Sequence, residues 1–497
     1  MTEPPGGRYQ DDDQDDDQGD DEPAVPVAEP TLDEIAALWQ VEHILDQRWP
    51  ETKIAPSTIR IDALMELLGS PQNSYPSIHI AGTNGKTSVT RMIDALLTAF
   101  GQRTGRYTSP HLQSAIERIA IDNHPVSPAR YVEIYREIEP FVQMVDAQSL
   151  AGDLGLQGPV MTKFEVLTGM AFAAFADAPV DVGVIEVGMG GSWDATNVVD
   201  APIAVITPIG MDHAEYLGAT VGEIAAEKAG VMRGPRGEIV PVETIAVIGR
   251  QPREAMDVLL AHAVRVAAVV AREDAEFAVR SRQIAIGGQV LELQGLGGVY
   301  PDVYLPLHGE HQAHNAVVAL AAVEAFFGAG VQRQLDIDTV RAGFAAASSP
   351  GRLERMRSAP TVFIDAAHNP AGAEALAAAL AEEFDFRYLV GVLSVMGDKD
   401  VMGILTALEP VFDQVVVTHN GSPRALDVDE LAWRADEVFG QERVVRADTL
   451  ADAIETATAI VEGAAADAEG FSGAGIVVTG SVVTAGVART LFGKDPA

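Results

Sequence analysis

The residues of this chain that could do chemistry stand at the ends of apolar runs. The stretch Gly82-Thr83-Asn84-Gly85-Lys86-Thr87-Ser88 lies between a β-branched run closing at Ile80 and an apolar set at helical spacing, Val89, Met92, Ile93, Leu96, Leu97 and Phe100. A strand-to-helix turn of that composition can cradle phosphate. Its glycines let backbone N–H groups turn onto an anion, the helix N-terminus adds its dipole, Lys86 brings a point charge, and Thr87 or Ser88 offers a hydroxyl to magnesium. The pattern G-x-x-x-x-G-K-[ST] is only partly met, because Ile80 stands where its first glycine belongs. A plain Gly-rich turn before a helix is the competing explanation.

Glu186 ends the run Val182-Gly183-Val184-Ile185, and Asp212-His213 follows the run that closes at Thr207. Each has an ordinary alternative, a strand-end carboxylate and a structural histidine. Three neighbouring strand ends would nevertheless present Lys86, Glu186 and His213 to one crevice, where ligands sit in open α/β sheets. An oxygen-rich magnesium site tolerates one imidazole. The glycines after Glu186 suggest a dinucleotide fingerprint, which fails because Trp193 takes the place of its last glycine. His308, His311 and His314 fall at zinc-like intervals, but no cysteine or acid completes the set and Gly309 suggests a helix start. Asn315 is better suited to meet a base. Further on, Arg352, Asp365, His368-Asn369 and Thr479-Gly480-Ser481 again stand at strand ends, and Arg352 and Asp365 could reach across a cleft to a nucleotide. Lys228 reads on its own as a surface helix lysine.

The elements that must hold these residues alternate. Thr31-Leu-Asp-Glu followed by Ile35, Leu38, Val41, Ile44 and Leu45 predicts a capped helix, with a second over Ile59–Leu68 and a buried one over Phe164–Phe175. The runs Ser77–Ile80, Val180–Val187 and Ala201–Thr207 suit central strands of a parallel sheet. Between 276 and 306 three short strand-like pieces predict a small antiparallel sheet, followed by a helix over His311–Phe327. Ala347-Ser-Ser-Pro-Gly351 reads as a linker. Beyond it, Thr361–Ile364, Tyr388–Leu393, Gln414–Val417 and Gly475–Thr479 alternate with Ala-rich segments. The expected organisation is an acidic disordered tail (1–30), an α/β domain (31–346), a linker (347–351) and a smaller Rossmann-like α/β domain (352–497).

Composition narrows the class. The chain has 497 residues, long enough for two or three domains with their own cores. Its formal charge is −38; residues 1–30 hold eleven acids against one base, so −10 lies in the tail and −28 elsewhere. So acidic a body argues against nucleic acid or an anionic membrane as partner. No cysteine is present, which removes disulfides, thiolate metal sites and cysteine nucleophiles. The acidic N-terminus carries no apolar signal region and no apolar run reaches membrane-spanning length, so a cytoplasmic protein is expected.

Taken together, these motifs resemble the Mur ligase superfamily and, within it, the folylpolyglutamate synthase/dihydrofolate synthase family. The carriers are Gly82-Thr-Asn-Gly-Lys86, Thr108-Ser-Pro-His-Leu112, Phe164-Glu165, Glu186-Val-Gly-Met-Gly-Gly191 with Asp194-Ala-Thr-Asn197, Asp212-His213, Glu227-Lys-Ala-Gly230, His311-Gln312 with Asn315, Gly351-Arg352, Asp365 with His368-Asn-Pro370, and Ser422-Pro-Arg-Ala425. The resemblance runs from about residue 31 to the C-terminus. It implies a P-loop-containing central domain with a small antiparallel sheet and a smaller C-terminal domain. It implies ATP held by Thr83, Asn84, Gly85, Lys86, Thr87, Ser88, Asn315, Arg352 and Asp365. Two Mg²⁺ ions would be bound through Ser109, Glu186, His213 and a carbamylated Lys228. Positions Ile54, Ala55, Pro56, Trp193, Asp194 and Ala195 would meet a pterin, and His368 and Ser481 the incoming glutamate, with Lys86, Lys228 and His368 central to catalysis. This sequence departs from the family at Ser192, Trp193 and Ala366, where Arg, Leu and Gly are usual.

The chemistry so implied is ATP-dependent amide formation. A carboxylate of dihydropteroate or of a reduced folate attacks the γ-phosphorus to give an acyl phosphate, which the amine of L-glutamate then attacks. Small molecules are the expected partners, and a monomer the expected state. Two rivals remain at this level. A Mur ligase acting on a cell-wall precursor would carry a UDP-binding N-terminal domain, and a P-loop switch would carry an N-K-x-D motif, which Gly397-Asp-Lys-Asp400 does not match.

Overall fold

The computed structural model describes residues 30–49, 56–155, 158–234, 243–330, 333–467 and 473–497. The acidic tail before residue 30, expected to be disordered, and Ile54 and Ala55, expected to meet a pterin, lie outside these residues. Among the described residues no helix is long and apolar enough to cross a membrane.

The first sheet has eight strands: β1 (Ser77–Ala81), β2 (Thr104–Tyr107), β3 (Ile119–Ile121), β4 (His124–Pro125), β5 (Val182–Glu186), β6 (Ile203–Ile206), β7 (Ile245–Ile248) and β8 (Val269–Arg272). Their order is β4-β3-β2-β5-β1-β6-β7-β8, parallel from β2 through to β8, with β3 and β4 antiparallel at one edge. The chain leaves β1 toward β2, returns to place β5 beside β1, and then crosses to β6 on the other side. The strand order therefore reverses at β1, and the crevice beyond β1, β5 and β6 is the ligand-binding position of an open α/β sheet. All five residues of β1 and of β5 are buried, which is why their sequences read as unbroken apolar runs.

The register explains the incomplete P-loop pattern. Ile80 pairs with Glu186 on one side and with Val205 on the other, so position 80 belongs to the strand. The loop proper begins at Gly82, and the helix Lys86–Ala99 follows at once. This helix packs with the helix Glu310–Phe326 and the inner faces of β1, β5 and β6 into one core. The three strands β9 (Ala278–Ala285), β10 (Gly288–Gln294) and β11 (Val299–Leu305) form the expected antiparallel sheet and add Leu291, Leu293, Tyr300 and Val303 to that core.

A second core lies under the helices Leu32–Asp46, Ile59–Leu67, Pro128–Ala151 and Lys163–Asp177. The first starts on a full capping box between Thr31 and Glu34, as its sequence indicates. The long helix Pro128–Ala151 is not evident from the sequence reading, because Pro140 lies inside it. Its start is legible in retrospect: Ser127 caps it by accepting the Arg130 N–H, and Pro128 occupies the first turn.

The remaining strands are β12 (Glu354–Ser358), β13 (Thr361–Ile364), β14 (Tyr388–Leu393), β15 (Gln414–Val417), β16 (Val444–Arg446) and β17 (Ala474–Thr479), ordered β12-β13-β17-β14-β15-β16. All but the edge strand β12 run parallel, with helical layers on both faces. The segment 347–351 between the two sheets is no loose tether. Ala347 and Ser349 are buried, and Ser349 Oγ lies 3.0 Å from Ser88 Oγ at the start of the helix after β1.

Candidate active site

The loop after β1 is built around an absent side chain. Gly82 has φ +149°, and a Cβ there would lie 1.9 Å from Thr207 Oγ1 and 2.9 Å from the Thr207 carbonyl oxygen. The closeness lets the Thr83 and Asn84 N–H groups both donate to Pro208 O, at 3.0 and 3.2 Å, while Thr83 Oγ1 accepts from the Gly210 N–H at 3.1 Å. The loop is thereby stitched to the exit of β6. At Gly85, φ is +87° and Asn315 Oδ1 occupies space 2.6 Å from where a Cβ would stand. The first intrahelical bond runs from the Val89 N–H to Gly85 O, leaving the N–H groups of Lys86, Thr87 and Ser88 at the open helix end. Residues Gly82 to Ser88 all line a cavity of about 570 Å³. The sequence expectation is refined in one respect: the Thr83 and Asn84 amides are committed to protein, so the donors free for an anion begin further along the loop.

Around this loop the charges are unusually well buried. Glu186 is 1% exposed; both its oxygens accept from Thr87 Oγ1, at 2.9 and 3.1 Å, and Oε2 also accepts from the Ser109 N–H at 3.4 Å. Burial pushes its pKa up, against the pull of Lys86 and these hydrogen bonds. Lys86 folds back on its own loop, donating to Gly82 O at 3.1 Å and Thr83 O at 3.2 Å. Lys228 is not a surface lysine: it is buried, and its Nζ donates to Gly82 O at 2.7 Å. Burial and then the charge of Lys86 bring its pKa down to about 7. His213 holds a left-handed backbone, φ +51°, which is unusual for a residue other than glycine. Burial lowers its imidazole to about 4, so it is neutral and able to act as a ligand.

A second cavity, of about 540 Å³, lies beside the first. Trp193, Asp194, Ala195 and Ser481 line it, together with Arg60, Arg118, Lys399 and Arg424. Ser109, Pro110, Gly188, Met189, His213 and His368 border both cavities. One room thus holds the phosphate cradle, the other is large and amphipathic, and they share a wall.

His368 reaches that wall from the second sheet. Its Nδ1 lies 3.0 Å from Ala366 O, so this nitrogen carries the proton and Nε2 keeps its lone pair. Burial holds its pKa at about 4. Next to it, Asn369 donates from Nδ2 to Asn84 Oδ1 at 3.0 Å, tying the second sheet to the phosphate loop. Sequence reasoning missed Lys399, which crosses the same cleft to Asp212 at 2.8 Å, both side chains 11% exposed. Burial opposes the charge on Asp212, but His213, Lys399 and His368 hold its carboxyl well below the usual range. Only a three-dimensional contact marks this lysine; nothing local to Gly397-Asp-Lys-Asp400 does. Lys399→Ala strands a buried carboxylate and is expected to cost about 3 kcal/mol of stability, read from the urea midpoint.

Several residues expected to meet ligands also make hydrogen bonds within the protein. Asp194 spends Oδ2 on the Met189 N–H at 2.8 Å and Oδ1 on the Thr196 N–H at 2.9 Å, so it shapes the Gly-rich loop from inside. Asp365 likewise accepts from the Leu353 and Ala367 N–H groups, each at 2.8 Å. The hydroxyl of Thr484 donates to Ser394 O, so in the 2.7 Å contact of Ser481 with Thr484 the proton is that of Ser481. Ser481 also accepts from the Thr484 N–H and Asn420 Nδ2. Its hydroxyl is therefore satisfied, and its service to the cavity is to cap the helix Val482–Leu491, whose first residues face inward. Pro56 is exposed and borders neither cavity, whereas neighbouring Ser57 borders the second. Arg352 borders the first cavity, as does Asn315, which donates to Gln312 Oε1 at 3.0 Å. Of the departures, Ser192 turns its hydroxyl to Glu227 at 2.7 Å, and Ala366 adopts no positive φ, so alanine fits there.

The donors present suit magnesium. Glu186 offers a buried carboxylate, and Ser109 and Thr87 offer hydroxyls, which is the oxygen-rich chemistry that ion prefers. Among the described residues no three His, Asp or Glu side chains converge to hold a metal by themselves. An ion held there would complete its shell with other oxygens. The three histidines near 311 diverge: His308 pairs with Glu383 and His314 with Glu273, at 2.7 and 2.6 Å, which disposes of a zinc site there.

A phosphate loop at the switch point of one α/β sheet, closed over by the His-Asn loop of a second, defines a ligase of the Mur type. Residues 143–323 match the Mur ligase middle domain, and residues 351–481 the Mur ligase glutamate ligase domain. The dihydrofolate synthase/folylpolyglutamate synthase of Mycobacterium tuberculosis is 72% identical over 472 residues, 94% of this chain and 96% of that protein. That of Bacillus subtilis is 32% identical over 373 residues, 75% and 83% of the two chains. The solved structure of Mycobacterium tuberculosis folylpolyglutamate synthase complexed with ADP superposes with a TM-score of 0.88 at 70% identity, covering 93% of this chain and 100% of that one. This chain belongs to the dihydrofolate synthase/folylpolyglutamate synthase family.

Proposed function

We propose that the protein joins L-glutamate to dihydropteroate, to the γ-carboxylate of reduced folates, or to both, at the expense of ATP. The observation that carries this reading is the shared wall: a nucleotide room and an acceptor room meet at Ser109, His213 and His368. A carboxylate at the wall attacks the γ-phosphorus and ADP departs. The glutamate amine then attacks the acyl carbon and phosphate leaves. No protein nucleophile is required.

The chain's own groups position and neutralise. Lys86, redirected from its own loop, faces the transferring phosphoryl group, and the helix end behind it donates N–H groups. Magnesium, when bound through Glu186, Ser109, His213 and a carbamate of Lys228, offsets phosphate charge. The depressed pKa of Lys228 supports that carbamate, because only a free amine adds CO₂, releasing one proton and keeping one N–H for Gly82 O. Neutral His368 accepts a hydrogen bond at Nε2 from the incoming ammonium and aims it. The capped helix end at Ser481 suits a carboxylate of glutamate, and the room beside Trp193 takes the pterin.

The test is an ADP-release assay on purified protein with dihydropteroate or a reduced monoglutamyl folate, each with and without glutamate. Release that requires both acceptor and glutamate is expected, and which acceptor works settles the balance of the two activities. Equal ATP turnover without either would overturn the ligase reading.

A further inference from the structure

The helix Pro370–Glu383 is a lid pinned at both ends. Its Ala371, Gly372, Ala375, Leu376 and Ala379 face the nucleotide cavity along one side. At its start stand His368 and Asn369, the latter bonded to Asn84 of the phosphate loop. Roughly 20 Å away, at its far end, lie Glu382 and Glu383. Two carboxylates at a helix C-terminus are electrostatically misplaced, so helix stability gives no reason for them.

Contacts across the interface account for them. The Glu383 side chain is 0% exposed and accepts from the Gly309 N–H at 2.6 Å, from His308 Nδ1 at 2.7 Å and from Arg282 Nη2. Arg282, on β9, also grips Glu382 at 2.7 and 2.8 Å. Its Nε donates to Gln289 Oε1 at 2.7 Å, and Gln289 Nε2 in turn donates to Leu307 O and Gly309 O. Gly309 is the cap of the helix Glu310–Phe326, which carries Gln312 and Asn315 over the phosphate loop. One buried carboxylate therefore locks the lid helix to the helix on the opposite wall of the nucleotide cavity, through the small sheet.

We propose that Glu383, clasped by Arg282 and the 308–309 backbone and ring, is a positioning residue that sets the lid helix and thereby places His368 at the shared wall. It touches no reacting atom. This rests on the ligase reading, and it gives the small antiparallel sheet a task in turnover.

The test uses the full chain and the glutamate-ligation assay, with E383Q, which keeps the shape and one acceptor oxygen, R282A and the double variant. Each single change is expected to raise KM for glutamate and lower kcat by about tenfold or more, since a displacement on the order of 1 Å costs up to about a hundredfold. The double variant is expected to be no worse than the more impaired single one, because both break the same clasp. A purely structural role would lower Tm and the active fraction, hence Vmax, and leave KM for glutamate alone. Unchanged KM in both single variants, or additive losses in the double, overturns the proposal. An inactive parent protein overturns the ligase reading instead, which separates the two failures.

Discussion

Lys228→Ala is expected to lower kcat by at least about a hundredfold while the protein stays folded. Removal of outer partners around a metal costs about 10- to 100-fold, and a direct ligand should exceed that. The fold should survive because Gly82 O, which accepts from Lys228 Nζ, also accepts from Lys86. The carbamate reading adds two marks that a plain loss of charge lacks. A small carboxylate such as acetate should partly restore the variant by filling the vacated space. In the parent protein, CO₂-depleted buffer should abolish activity most readily below pH 7 and bicarbonate should restore it. The sign follows from the lysine: with its pKa near 7, acid keeps it as ammonium, which cannot add CO₂, and rising pH frees the amine. Full activity in Lys228→Ala would rule the carbamate out.

Gly82→Ala is expected to lose nucleotide binding and at least about 3 kcal/mol of stability, the combined cost of a strained backbone and an overfilled contact. The new Cβ meets the Thr207 carbonyl, part of a backbone that cannot rotate aside, as well as Thr207 Oγ1. Relief requires breaking the bonds from Thr83 and Asn84 to Pro208, which displaces the whole loop. Gly101→Ala isolates the backbone term, since Gly101 also has positive φ, +75°, but nothing lies within 4 Å of its Cβ position. Urea unfolding and titration with an ATP analogue on both variants check the difference. Equal behaviour of the two would refute the account of Gly82.

Much of this architecture was legible in the sequence because burial on both faces leaves a plain mark. β1, β5 and β6 are apolar throughout, and a polar residue where such a run stops, Glu186 for example, stands out. The same logic located Lys86, His213, Asp365 and His368. Lys228 was beyond it: its helix is short, and only the family resemblance singled it out from other helix lysines. Lys399, Arg282 and Glu383 carried no signal of either kind, because each draws its meaning from a partner more than 70 residues away. The satisfied hydroxyl of Ser481 was hidden for a similar reason, since Asn420 comes to it, and Ser394 O to its neighbour Thr484, only in the folded second sheet. Local pattern reveals what a strand end offers; it does not reveal what the fold has already spent.

The wall common to the two rooms bears on fidelity of stoichiometry. An acyl phosphate is prone to attack by water, so its lifetime is a race between hydrolysis and capture. Formed at a surface that both cavities touch, the activated carbon already faces the amine's compartment and needs no journey through solvent. On the ligase reading, each ATP spent would then be matched to one amide bond.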